Sequence, residues 1–196
     1  MITPEDVRSL FGRLLEQIGD EGLRALVVDT WVEGCREGGW QDLDQLEDMP
    51  FTLLTDCHGI NFIQHTAAVT AGALALGRAM VEYQDLPYTI DFDLLVAGGL
   101  LHDVGKLMEI EPDGKGGYRR SHAGRCARHP VSGAILAGRM GLSQEVINVI
   151  ACHAKEGEGR PQRVETVLVH QADFATFDPL VMMAKGTLIT EKVSQG

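Results

Sequence analysis

Ala97-Gly98-Gly99-Leu100-Leu101-His102-Asp103-Val104-Gly105-Lys106 is the stretch that decides the fold. Asp91 is a good helix N-cap, and the run that follows it through Leu101 places Leu95, Gly98, Gly99 and His102 on one face at three- and four-residue steps. An imidazole on that face points into the protein, and Asp103 beside it is also flanked by apolar residues. A buried carboxylate is costly without a partner, and one shared cation satisfies several such groups together. Imidazole nitrogen and carboxylate oxygen suit first-row divalent metals such as Mn, Fe, Co, Ni or Zn. His102-Asp103 therefore reads as half of a metal site. The other candidate ligands are His65, His129, His153 and Asp173, each twenty or more residues from the next, so only folding can assemble them.

Outward from this stretch the pattern stays helical. From Asn61 to about Tyr83, His65, Ala68, Val69, Gly72 and Leu76 share one small-to-apolar face. Pro130 starts a helix that runs to Met140 and ends at Gly141; Ser143 caps another in which Val146, Val149, Ile150 and His153 share a face. A further apolar run begins near Val164 and leads to Asp173. Upstream, Thr3 caps a helix with Pro4 in its first turn and an apolar stripe of Leu10, Phe11, Leu14, Leu15 and Ile18; a second helix covers residues 23–35. Gly38-Gly39 breaks the pattern, and the acidic stretch 41–56, with Pro50, is a connection holding one short helical turn. Residues 107–111 alternate apolar and polar ahead of Pro112-Asp113-Gly114 and Gly116-Gly117, which predicts a small β-hairpin or a loop. Residues 177–196 read equally as a last helix or a tail. The expectation is an all-α bundle with a small β-hairpin insertion after residue 106: an N-terminal helical extension over 1–60, a metal-binding core over 61–175 and a C-terminal helix or tail over 176–196, within one globular domain.

A chain of 196 residues with 44% hydrophobic content can bury a real core. Twenty-eight acidic against 17 basic residues give a net charge of −11, which repels a phosphate backbone and predicts no general nucleic-acid binding and no binding to an anionic membrane. Apolar runs are too short to span a bilayer and the acidic N-terminus lacks a signal peptide's positive region, so a cytoplasmic location is expected. Cys35, Cys57, Cys126 and Cys152 show no Cys-x-x-Cys spacing and read as reduced thiols. One segment departs from the acidic background. Residues 115–128 carry Lys115, Arg119, Arg120, Arg125 and Arg128 with no acid, either a rim that attracts phosphate or a solvated loop.

The order His65, His102-Asp103, Asp173, with the motif His102-Asp103-Val104-Gly105-Lys106, resembles the HD superfamily of helical metal-dependent phosphohydrolases over roughly residues 61–175. The resemblance implies an HD-domain-like helical bundle in which His65, His102, Asp103 and Asp173 hold one divalent metal. In a subset of that superfamily two further histidines hold a second ion, and His129-Pro130-Val131-Ser132-Gly133-Ala134 and Ile150-Ala151-Cys152-His153 resemble those additions. It further implies Asp103 bridging the two ions, hydrolysis by metal-activated water with Asp103 and Lys106 as catalytic residues, and a small phosphorylated or nucleotide substrate met by Lys106, Arg125 and Arg128. Two other readings stay open at this point: a diiron oxygenase of the same superfamily, and a signalling or binding module without turnover. Gly105 reads as a close backbone approach beside the site or as a helix C-cap. His170, three residues before Asp173, reads as a support for the site rather than a ligand; His58 and His122 have no assigned role.

Overall fold

A computed structural model describes residues 1–190, so the last part of the expected C-terminal helix or tail, residues 191–196, lies outside the described residues. The described chain forms α1 (Pro4–Leu15), α2 (Glu21–Gly38), α3 (Leu43–Asp48), α4 (Phe62–Tyr83), α5 (Phe92–Leu101), α6 (Lys106–Glu109), α7 (His122–Cys126), α8 (His129–Arg139), α9 (Gln144–Cys152) and α10 (Val164–Ala184). Apart from a short antiparallel hairpin, β1 (Ile110–Pro112) with β2 (Tyr118–Arg120), the fold is all-α. Helix starts follow local chemistry. Thr3 with Asp6 and Asn61 with Gln64 form capping boxes, while the side chains of Asp91 and Ser143 accept the amides of Leu94 and Val146. Gly141, at φ 83°, follows the end of α8 in the left-handed region that glycine tolerates.

Two boundaries differ from the sequence reading. The alternation over 107–111 does not begin as a strand, because residues 106–109 make one helical turn and pairing starts only at Ile110. The ambiguous segment from Phe177 onward is helical to Ala184. Among the described residues, no helix is long and apolar enough to cross a membrane.

Helix α5 is the centre of the packing: all its residues from Leu94 to Leu101 are buried, against α4, α9, α10 and the N-terminal helices. Glycine makes two of those approaches feasible. A Cβ on Gly98 would stand 2.8 Å from Val149 Cγ1, and one on Gly99 2.9 Å from Thr70 Oγ1. From behind, α2 and the residues just after it brace the His-Asp turn: Trp31 Nε1 donates to Leu100 O at 2.9 Å and Trp40 Nε1, beyond the end of the helix, to Leu107 O at 2.8 Å. The Asp93 carboxylate accepts the Gly19 and Asp20 amides at 2.9 and 2.7 Å, fixing the α1–α2 connection to the start of α5. One apolar cluster includes Ile2, Trp31, Leu100 and Ile150, so the first sixty residues share a core with the rest.

Candidate metal centre

Five elements deliver the six candidate ligands to one point. His65 comes from the first turns of α4, His102 and Asp103 follow α5, His129 opens α8, His153 closes α9 and Asp173 lies midway along α10. Asp103 is the hub. Its Oδ2 lies 3.5 Å from His65 Nε2 and 3.3 Å from His102 Nε2; its Oδ1 lies 3.2 Å from His129 Nε2 and 3.5 Å from His153 Nε2. Asp173 Oδ1 completes the first side at 3.1 Å from His65 Nε2. All four histidines are 6% exposed or less and Asp103 is 1% exposed.

The other ring nitrogens fix what these Nε2 atoms can be. His102 Nδ1 stands 2.6 Å from Gly99 O and His153 Nδ1 2.9 Å from Ile150 O. A carbonyl can only accept, so each Nδ1 carries the ring proton and each Nε2 presents a lone pair. His129 Nδ1 is held at 2.9 Å by the Glu109 carboxylate, which also accepts the His129 amide at 2.6 Å. Thr176 Oγ1 donates to Asp173 O at 2.8 Å and therefore accepts from His65 Nδ1 at 3.3 Å. Four lone pairs thus face carboxylate oxygens. Accordingly His65 Nε2, His102 Nε2, His153 Nε2 and both Asp103 oxygens are buried without any hydrogen-bond partner. Such a set repels itself until a cation lies among it, and the donor types fit a first-row divalent metal.

Charges around the hub point the same way. Burial pushes the Asp103 carboxyl up, but the Lys106 ammonium beside it holds it well below the ordinary carboxylate range. Lys106 Nζ forms an ion pair with Asp103 Oδ2 at 2.5 Å and lies 5.7 Å from the Phe51 ring centroid. Gly105 is ordinary right-handed helical backbone, at φ −63°, rather than a left-handed cap. Its need is proximity: a Cβ there would stand 2.7 Å from Gly133 N and from Ser132 Oγ.

A cavity of about 460 Å³ opens beside the cluster, walled by Phe51, Phe174 and Phe177 and carrying Lys106, Arg120, Arg128 and Lys155 as cations. Phe51 stacks on His65 with ring centroids 4.1 Å apart. Arg128 lines this cavity as the sequence reading expects, but Arg125 does not: it sits exposed on α7 and donates to Arg120 O at 3.2 Å, while Arg120 itself reaches the cavity. His170 Nδ1 reaches His153 O at 2.5 Å, bracing the end of α9. His58 and His122 are exposed. Sequence reasoning missed Glu109, Thr176 and Phe51, and named Arg120 only as one member of the basic segment. Of the three missed, only Thr176 left a trace, standing three residues beyond Asp173 on the same helical face.

An all-helical frame that converges four imidazoles and two carboxylates on one buried point defines a metal-binding helical protein. The chain belongs to the HD domain family, whose model matches residues 62–175. Curated relatives include the protein named Ribonuclease Y of Thermotoga maritima, 34% identical over 116 residues, and that of Thermosipho melanesiensis, 38% identical over 116 residues; each match covers 59% of this chain and 18% of the relative. Ribonuclease Y of Acidothermus cellulolyticus is 36% identical over 84 residues, 43% of this chain and 14% of the relative. The chain spans less than a fifth of the length of the relatives it matches. No solved structure gives a significant match.

These relatives overturn the expected partners. The small-molecule substrate came from the family resemblance and the exclusion of nucleic acid from a net charge of −11, yet proteins named for ribonuclease activity carry a region 33–38% identical to this one. Net charge sums over the whole surface. It does not describe one cavity, where four cations outnumber the carboxylates of Glu109, Glu156 and Asp173.

Proposed function

We propose that this chain is a metal-dependent phosphoester hydrolase acting on RNA, with two divalent cations bridged by Asp103. The observation that carries the reading is the buried set of unpartnered donors around that carboxylate, divided so that each oxygen faces two imidazoles. His65, His102, Asp173 and Asp103 Oδ2 would hold one ion; His129, His153 and Asp103 Oδ1 would hold the other. Such cations, when bound, supply Lewis acidity toward phosphoryl oxygens and make water acidic enough to attack near neutral pH. The chain's own groups do the rest. Four Nδ1 anchors stop the rings from turning, so their Nε2 atoms keep their aim. Lys106 holds its ammonium between Asp103 and the cavity it lines, placed to meet a phosphate oxygen as a point charge. Phe51, Phe174 and Phe177 keep water from one wall, and the partly exposed Phe174 and Phe177 can meet a base. The ribonuclease names of the relatives support RNA as the substrate class. Residues 61–175 are read as the catalytic unit and 1–60 as an extension packed on it, in one globular domain.

The test is metal analysis of protein purified without added metal, paired with cleavage of a labelled oligoribonucleotide in isotopically labelled water, with and without dioxygen. The expected result is two ions per chain, label in the product phosphate and equal rates in both atmospheres. Protein without metal, or cleavage that survives Asp103→Ala, refutes the reading.

A further inference from the structure

We propose that Phe51 is the positioning residue of His65, holding its ring by stacking so that the ion on the His65 side of the centre is bound tightly. The inference rests on the metal-binding part of the reading above and adds a residue that lies outside the family-matched region, residues 62–175. Three of the four histidines are anchored through Nδ1 by a backbone carbonyl or a carboxylate, at 2.6, 2.9 and 2.9 Å. His65 has only the Thr176 hydroxyl, at 3.3 Å. A long bond to a side chain that can itself rotate restrains a ring poorly. What His65 has instead is a stacked neighbour: the Phe51 ring lies on its face, with centroids 4.1 Å apart and planes 18° apart. Among the described residues, the other three imidazoles meet aromatic rings only at tilted or edge-on angles. Phe51 is buried and is itself met edge-on by Phe177, with centroids 6.3 Å apart, so it has little room to move aside. Turning His65 about its ring bond would drive the edge of the imidazole into the phenyl face.

One helix start places both partners. Asn61 caps α4, its side chain accepting the Gln64 amide at 2.8 Å and its carbonyl the His65 amide at 3.0 Å. The same residue pairs with Pro50 in an antiparallel bridge, and Met49 O accepts the Phe62 amide at 2.8 Å. The loop from Pro50 to Asn61 therefore leaves and returns at fixed points, and Phe51, next to the fixed end, comes to rest on the ring one turn into α4. Stacking also suits the chemistry of a ligand. An imidazole that shares its lone pair with a cation becomes electron-poor, and the face of a phenyl ring is electron-rich, so the contact favours the metal-bound form over the free one.

The experiment measures cobalt(II) affinity by chelator competition in two backgrounds: His129→Ala, which leaves the His65 side of the centre intact, and His65→Ala, which leaves the other side. Phe51→Leu keeps a buried apolar side chain but removes the planar face. It should weaken the ion in the His129→Ala protein by about 10-fold, the low end for losing an outer partner of a ligating histidine, and change that in the His65→Ala protein by less than about 2-fold. Phe51→Tyr, which keeps the planar face, should retain the affinity. Equal losses in both backgrounds are the mark of general packing damage. That result, an unchanged ion in the His129→Ala protein, or a loss as large in Phe51→Tyr as in Phe51→Leu overturns the proposal. If the wild-type protein binds no metal, the hydrolytic reading fails, and nitrogen NMR of the metal-free imidazoles in mildly alkaline buffer decides this inference by itself. His65 should then show one Nδ1-protonated tautomer in the wild type and in Phe51→Tyr and a mixture in Phe51→Leu; the same tautomer in all three overturns it.

Discussion

Glu109→Gln is the most discriminating perturbation of the site, because it keeps the shape of a side chain that sequence reading overlooked and removes only its charge and one acceptor. In the native protein one carboxylate oxygen takes the His129 amide at 2.6 Å and His129 Nδ1 at 2.9 Å; the other faces Arg120 and Arg128. A glutamine has one acceptor oxygen. If it stays on His129, the amide NH2 points at two guanidinium groups; if it turns to the arginines, His129 loses its anchor. Charge-assisted hydrogen bonds are worth about 1.5–3 kcal/mol each, and the replacement weakens at least one, so a stability loss of about 2–4 kcal/mol is expected. For a chain of this length that corresponds to a melting point lower by roughly 4–15 °C. Freed rotation of the His129 ring should also weaken the ion on the His129 and His153 side by about 10- to 100-fold, the usual effect of losing an outer partner of a ligating histidine. Chelator competition against the metal-loaded protein reads this directly, with His129→Ala as the reference for complete loss. A Glu109→Gln protein that melts with the wild type and holds both ions at wild-type affinity would refute the assignment of Glu109 as the residue that orients His129.

Three shorter predictions follow from the same geometry. Asp103→Asn should empty both ion positions at once, since both sides of the centre share this carboxylate, and should leave the chelator-treated protein folded by circular dichroism; a variant that keeps one full ion contradicts the bridging role. Gly98→Val should destabilise the fold by about 1–3 kcal/mol in urea titrations, because α9 already lies against that position; no change in midpoint would mean that Val149 can move aside. The Cys35 thiol, pushed up to about 12 by burial, should resist an alkylating reagent at mildly alkaline pH until the chain unfolds, and modification at the rate of a free thiol would contradict its placement.

The helices were legible because their starts are decided within four residues. A side-chain oxygen at Thr3, Asn61, Asp91 or Ser143 satisfies an amide that the helix cannot, and this is written in the sequence whatever the rest of the molecule does. The turn around Leu107 was not legible for the opposite reason. The alternation there suits a strand, but Leu107 is fully buried and its carbonyl is held by Trp40, which comes from a distant part of the chain. Tertiary contacts outweighed the local pattern over residues 106–109 and left the hairpin to begin at Ile110.

The same division runs through the site. Its six candidate ligands carry their own signals, histidines on apolar helical faces and a His-Asp doublet, so they could be named before they were seen together. Arg120 and Arg125 could not be told apart, since both lie in one acid-free basic segment and composition has no direction. The hairpin supplies the direction: pairing of Arg120 with Ile110 puts it at the cavity edge, whereas Arg125 falls on the outer side of α7. Glu109 was hidden in the same way, for nothing in its neighbours says that a helix start twenty residues later returns to it. The failed inference from net charge has this origin too. Coulomb attraction is local at physiological salt, fading over about 8 Å, so the balance of four cations against three carboxylates in one cavity, not the chain's charge of −11, bears on what enters it.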